Sequence, residues 1–452
     1  MTRLLRYYTL IAALFLAVGI TSAQVTESIR GLHKVKKKET IFGISKMYGI
    51  TIDQLIEANP EMKTPDYELK KGTILKIPFA TMQLQTQEAP KQEAPSANDV
   101  RNREIRLGVM LPLHDINGDG KRMVEYYRGV LMACDSVKKL GISVNVHAWN
   151  TPEDWDIRQT LLDEDAAKCD IIIGPLYSKQ MDALSSFVEK HDIQLVIPFS
   201  INAPQLTTNR HIFQIYQTPN EITEASINRF VEQFRDFHTV IIDCNDSTSR
   251  KGAFTTGIRR QMEQKNMTYS LTSLKSDEDA FSKAFSRSKS NVVVLNTARS
   301  QELGVAFSKI NGLKVMVPEL NITMFGYTEW LMYTQRYLEN FYKYNTYIPS
   351  TFNYNPLTTA THRIEQKYRW NFHSDMQNRL PRLAITGFDQ AYFFLRGLHK
   401  YGKTFNGAAG MLGYAPVQTP LQFERYGNGG LRNNMLIFVH YAPDHRVETI
   451  KF

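Results

Sequence analysis

Cysteine is scarce in this chain, with only Cys134, Cys169 and Cys244 among 452 residues. An odd and low count excludes a disulfide framework, and free buried thiols fit it better than a single pair. Catalytic signatures are missing too. The sequence has no H-E-x-x-H pair for zinc, no G-x-S-x-G turn for a serine nucleophile and no C-x-x-C motif. Its 11 histidines are scattered, and the nearest group with a carboxylate between, His440 and Asp444-His445, reads as a surface turn. The acidic run Asp163-Glu164-Asp165 sits on a helical stretch facing solvent. Nothing assembles general acid–base chemistry, so no enzyme is expected, and neither a metal nor a cofactor.

Long apolar runs are equally rare. The one near the start, Leu10–Ile20, follows Arg3 and Arg6 and precedes the small residues Thr21-Ser22-Ala23, the pattern of a secretory signal over residues 1–23. It is shorter than the roughly 20 residues that span a bilayer. No cysteine follows the cleavage point to carry a lipid, and no later segment is apolar enough to span a membrane. Export to the periplasm or cell envelope is therefore expected. The formal charge of +9 favours polyanions weakly and fixes no partner; no nucleic acid is expected among them. With 42% hydrophobic and 22% charged residues, the composition is that of an ordinary globular protein, long enough for two or three domains.

Residues 33–78 form a short, self-contained pattern. Apolar strands at His33–Val35 and Ile74–Ile77 bracket two short helices. Thr40 is placed to cap the first, which carries Ile41, Ile44 and Met47 on one face. The second, over Ile52–Ala58, stops at Asn59-Pro60. Val35, Thr40-Ile41, Ile44, Tyr48-Gly49, Leu55, Asn59-Pro60, Leu69, Gly72 and Leu75-Lys76-Ile77-Pro78 together resemble a LysM domain, the β-α-α-β module that binds peptidoglycan and chitin. The resemblance implies a shallow groove for N-acetylglucosamine units, with Glu39, Thr40, Ile41 and Phe42 on one wall and Asn59, Pro60 and Met62 on the other. Two positions depart from the family: His33 replaces the usual aromatic, and Lys38-Glu39 replaces Gly-Asp. Residues 81–103, with the repeat QEAPKQEAP, lack any apolar period and read as a flexible linker.

From residue 104 onward, apolar runs alternate with amphipathic stretches. IRLGVMLPL, ISVNVHAWN, DIIIGPL and QLVIPFS read as strands, with helices near 123–139, 155–168 and 179–190. A second set begins at TVIIDCND and continues through NVVVLN and ITMFG. Alternation of this kind gives parallel sheets flanked by helices, here in two α/β lobes. IIIGPLYS (171–178), VIPFSINAPQL (196–206), FGYTEW (325–330) and AITGFDQAYFFLRGLHKYG (384–402) resemble the type 1 periplasmic binding proteins, the fold of branched-chain amino acid receptors. The likeness covers 104–452 and implies a bilobed domain with lobe 1 over about 104–217 and 353–422, and lobe 2 over about 218–349 and 435–452. Crossings are expected near Thr218, Pro349–Asn353 and Phe423–Asn434.

Ligands in such folds lie beyond the carboxyl ends of the strands. The resemblance puts Ser178, Ser200 and Asn202 where the receptors hold a ligand carboxylate, although each serves equally as a cap or turn residue. In lobe 2 the aromatic used to hold the ammonium is missing from CNDSTSRKG, and Glu329 is the candidate acidic partner. Asp115, Asn117 and Asp119 open like an EF-hand loop, but its twelfth position is Tyr126 rather than an acid, so they read as a polar rim at the cleft mouth. GLHKYGKT (397–404) fits the P-loop pattern but lies at the end of a helix, with Gly402 as its stop. Trp330, Tyr333, Tyr337 and Phe341 share a helical face that suits a packed core, whereas Tyr342, Tyr344, Tyr347 and Tyr354 are candidates for a partner surface. The sequence therefore points to an exported, non-catalytic protein held on peptidoglycan. Its bilobed domain would close on a small solute or wall-derived ligand, bind or regulate a wall-synthesis enzyme, or serve an ABC-type importer.

Overall fold

The computed structural model describes residues 29–37, 39–48, 50, 52–64, 67–78, 99–199 and 202–452. The signal segment, most of the linker and Ser200 lie outside the described residues. The chain divides between Glu93 and Ala94 into two compact units.

In the small unit, β1 (Ile29–Lys34) pairs antiparallel with β2 (Ile74–Pro78). The first strand starts earlier than the expected His33 because Ile29 finds a partner in Pro78. Between the strands lie helices Ile41–Tyr48 and Ile52–Glu57 and a 3-10 turn at Pro60–Lys63. Strand alternation sends Leu75 and Ile77 inward while Ile74 and Lys76 stay exposed. They meet Val35, Ile44, Leu55 and Met62 in one small core. Thr40 Oγ1 accepts the Gly43 N–H at 3.1 Å and so caps the first helix.

The large unit holds two seven-stranded sheets. The first begins with β3 (Ile105–Leu111), β4 (Val144–Asn150), β5 (Ile171–Ile173), β6 (Gln194–Ile197) and β7 (Ile212–Gln214). The second begins with β8 (His238–Asp243), β9 (Tyr269–Ser273), β10 (Asn291–Leu295), β11 (Ile322–Phe325) and β12 (Thr346–Ser350). Within each set the pairs are parallel. The chain then returns to the first sheet with β13 (Phe423–Arg425) and β14 (Leu431–Asn433), and finishes in the second with β15 (Ile437–Tyr441) and β16 (Val447–Lys451). The orders are β13-β14-β7-β6-β5-β3-β4 and β16-β15-β12-β11-β10-β8-β9, so the lobes repeat one winding. Central strands such as Ile171–Ile173 and Val292–Leu295 are uninterrupted apolar runs because helices cover both faces.

The sequence places several helices differently from where they form. The first helix of this unit runs from Gly118 to Lys138, starting well before residue 123 because Asn117 Oδ1 accepts the Gly120 N–H at 2.9 Å. The stretch 155–168 is not one helix but two turns, Ile157–Thr160 and Glu164–Ala167, split where Asp163 caps the second. Residues 423–433 form the β13–β14 pair rather than a crossing, and the third crossing follows at 434–436.

Helices Gly118–Lys138 and Leu383–Tyr401 touch backbone to backbone. A Cβ at Gly129 would stand 1.9 Å from the Ala384 carbonyl oxygen, and one at Gly387 would stand 2.1 Å from that of Tyr126. Only glycine permits this approach. Trp330, Tyr337 and Phe341 are buried, and Trp330 stacks on Phe341 at 6.0 Å. Tyr342 and Tyr344 are buried as well, and Tyr347 and Tyr354 are half-buried. Packing against the second sheet takes up the first three, so these tyrosines do not make the exposed partner surface the sequence suggested. Among the described residues, no helix is long and apolar enough to cross a membrane.

Candidate functional site

In the small unit, the residues expected to line the groove separate into two kinds. Phe42 is 65% exposed, and Thr40 and Pro60 are also exposed, with Ile41 half-buried behind them. Asn59 and Met62 are buried and cannot meet a glycan. Asn59 is instead a pin: its Nδ2 donates to the carbonyls of Leu55 (2.7 Å) and Lys76 (2.8 Å), and its Oδ1 accepts the Lys76 N–H at 2.8 Å. Glu39 is also committed, accepting from the Lys36 N–H at 2.7 Å and meeting His33 Nε2 at 2.9 Å. The Lys36 bond first, then His33, holds its carboxyl below the usual range. His33 completes the relay through Nδ1 and the Tyr48 hydroxyl at 2.9 Å. The two family departures thus compensate one another, with His33 and Glu39 bracing the loop that the missing Gly-Asp would have shaped.

In the large unit, each sheet reverses its winding at its first strand, between β3 and β5 and between β8 and β10. A crevice forms beyond the carboxyl ends at such switch points. The loop after β3 carries Asp115 and Asn117, and the loop after β5 carries Ser178. Asn117 is spent on its helix cap. Asp115 is almost fully exposed, 3.9 Å from Lys121. Asp119 pairs with Arg122 and accepts from the Tyr177 hydroxyl at 3.3 Å. Ser178 Oγ accepts the Asn202 N–H at 2.9 Å, which brings those two candidates together but uses the hydroxyl's position. Asn202 itself is exposed and lines a separate pocket of about 450 Å³ with Tyr216, Thr218, Tyr426 and Arg432. There Arg432 of β14 pairs with Glu221 of the helix Pro219–Gln233, an ion pair between lobes.

The second lobe's loops are locked internally. Asn296 Oδ1 accepts the Cys244 N–H at 2.8 Å, and its Nδ2 donates to Asp243 at 2.8 Å. Asp246 accepts from the Thr248 hydroxyl (2.7 Å) and the Thr297 hydroxyl (2.8 Å), with Arg299 at 3.5 Å. Those hydroxyl bonds hold its carboxyl down at about 2. Glu329 lies on the 3-10 turn after β11, and its Oε1 is 2.7 Å from Lys251 Nζ, which also sits 4.8 Å over the Tyr327 ring. Lys251 comes from CNDSTSRKG, the loop that lacks the aromatic. A protein ammonium therefore occupies the acid that a ligand ammonium would need. Sequence reasoning named Glu329 but missed Lys251 and Asp246, although their loop was already marked as the departure.

The three cysteines are free thiols, Cys169 and Cys244 buried and Cys134 half-buried. Burial pushes each up to about 12, so none is a ready nucleophile near neutral pH. Among the described residues, no three or more His, Cys, Asp or Glu side chains gather to hold a metal ion.

With this geometry in hand, comparison with known proteins gives a family for the small unit. Residues 33–78 match the LysM domain. The LysM match runs from His33, within β1, to the end of β2. For the rest, a Rhodospirillum rubrum protein assigned to branched-chain amino acid ABC transport aligns at 13% identity and a TM-score of 0.51, over 77% of this chain and 100% of that one. The large unit has the bilobed, type 1 periplasmic-binding-protein fold. Full-length LpoA from Haemophilus influenzae aligns at 12% identity and a TM-score of 0.46, over 78% of this chain and 60% of that one. The LpoA C-domain, described as a regulator of PBP1A, aligns at 13% identity and 0.43, over 76% and 99%. No curated protein matches the chain.

Proposed function

We propose that this chain is an exported, non-catalytic binding protein of the cell envelope, tethered to peptidoglycan by its LysM module. The observation that supports this best is the order of the two units, a complete LysM domain followed by a bilobed binding fold. Phe42, Thr40, Ile41 and Pro60 are the residues proposed to meet the glycan, with the Phe42 ring stacking on a sugar face. Asn59, Met62 and Glu39 support that surface from behind. The bilobed unit is proposed to recognise its target between the lobes, by closing about the three crossings on a small solute or wall-derived ligand. Asp115, Ser178 and Asn202 mark the first-lobe edge of that cleft.

A second reading has a specific observation behind it. Glu329 is neutralised by Lys251 and the Ser178 oxygen is already bonded, which disfavours a free amino acid as ligand. A wall-synthesis enzyme as binding partner requires no such free acid, and the solute-receptor role of an importer ranks below both. Sedimentation of the full chain with purified peptidoglycan tests the tether, and a chain that stays in the supernatant removes it. Thermal shifts across a panel of amino acids, sugars and muropeptides separate the other two. Stabilisation by one class supports cleft closure, whereas silence, with crosslinking of the full chain to a purified wall synthase, supports the partner.

A further inference from the structure

Beside the second crossing lies a pocket of about 560 Å³, a size typical of small-molecule sites. Its walls come from both lobes. Met332 and Leu338 line it from the second lobe, Phe352 and Leu357 from the crossing, and Arg379 and Arg382 from the segment before the helix Leu383–Tyr401. None of the residues assigned to the cleft or to the LysM groove takes part.

Two observations give the pocket a ligand chemistry. The rim is apolar and open, with Met332 61% and Leu357 79% exposed. The opposite chemistry comes from the two guanidinium groups. Among the described residues, neither Arg379 nor Arg382 forms an ion pair. Arg382 spends one N–H on the Gln377 carbonyl at 2.6 Å and lies 5.0 Å over the Tyr354 ring. Its Nε is buried with no acceptor, an uncompensated donor that a bound acceptor would satisfy. The nearby carboxylates, Glu125 and Glu365, lie within the field of these guanidinium groups without an ion pair to either. Glu125 is buried and takes the Gln377 N–H at 3.0 Å, and Glu365 accepts the Tyr354 hydroxyl at 2.6 Å. The pocket thus combines an aliphatic wall with fork-shaped donors that no carboxylate pairs directly, the combination that suits a carboxylate on an apolar body.

We propose that this pocket binds an amphipathic carboxylate, its aliphatic chain against Met332, Leu338 and Leu357 and its head on Arg379 and Arg382. Because the walls belong to both lobes and to the crossing between them, an occupant also fixes how the lobes are set. The test is calorimetric titration of the full chain with sodium dodecanoate below its micellar concentration, alongside dodecanol and acetate. Dodecanoate should bind saturably at one site, with dodecanol and acetate each at least about tenfold weaker. Arg382→Gln should weaken dodecanoate at least about tenfold. Leu357→Glu should do the same from a position already 79% exposed, by replacing an apolar contact to the ligand's aliphatic chain with a charge. Trp370→Ala, an exposed change outside the pocket, should leave binding intact. The proposal is overturned by absence of saturable binding, by dodecanol matching dodecanoate, or by affinity that survives both pocket substitutions.

Discussion

Asn59 gives the sharpest prediction, because sequence and structure assign it different work. The resemblance puts it on the glycan wall, whereas the fold buries it at 1% exposure with three hydrogen bonds at 2.7–2.8 Å. Replacing it with alanine removes all three bonds and strands the Lys76 N–H, which tethers β2. At about 0.5–1 kcal/mol for each of the three net bonds, plus about 1 kcal/mol for an unsatisfied donor, the loss is roughly 2.5–4 kcal/mol. A module of this length has only about 2–7 kcal/mol in total, so Asn59→Ala should leave the LysM unit largely unfolded at 37 °C. The large unit should keep its own transition. Urea unfolding of the full chain, followed by limited proteolysis, resolves the two events, and peptidoglycan sedimentation should fall in step with the loss of the early transition. A variant that keeps its native unfolding midpoint yet no longer sediments would refute this reasoning, because it would make Asn59 a sugar contact after all.

The other predictions follow from single features. Phe42→Ala, at an exposed ring, should cut peptidoglycan sedimentation while moving the unfolding midpoint by less than about 0.5 kcal/mol. Asp246→Asn should destabilise the second lobe near neutral pH. The carboxyl is held below its unfolded value, so its stabilisation is present above about pH 4 and disappears as pH falls towards 2. Thermal melts of the two proteins should therefore converge between those values, and a constant gap would contradict the hydroxyl lock. Gly129→Ala drives a methyl into the Ala384 carbonyl and should cost about 1–3 kcal/mol in urea unfolding of the large unit.

Strand identity was the most legible part of the fold, because buried parallel strands such as Ile171–Ile173 and Val292–Leu295 are apolar without interruption. Short edge strands were not: Leu431–Asn433 alternates weakly and is held by pairing to Phe213 and Gln214, partners far away in sequence. Helix starts failed where a cap lay upstream of the apolar period, as at Asn117. At the candidate site, residue type was readable but commitment was not. Glu329 and Ser178 stand out in the sequence as polar groups, but that Lys251 and Asn202 bond to them depends on contacts across loops. Exposure divided the LysM wall in the same way, since Asn59 and Phe42 belong to the same family pattern but lie on opposite sides of the module's surface.

The chain's path also constrains how this protein can be cut or rebuilt. Each lobe is finished by strands from the far end of the sequence, β13 and β14 for one and β15 and β16 for the other, and glycine contacts join the helix at 118–138 to the one at 383–401. Neither lobe is a heritable piece that can be lost, duplicated or fused on its own, and a premature stop before residue 430 leaves both sheets without their edges. The LysM module, contiguous over 33–78, carries no such debt. Rearrangement at the gene level can add, remove or swap the LysM module as one piece, whereas the bilobed unit has to be moved whole.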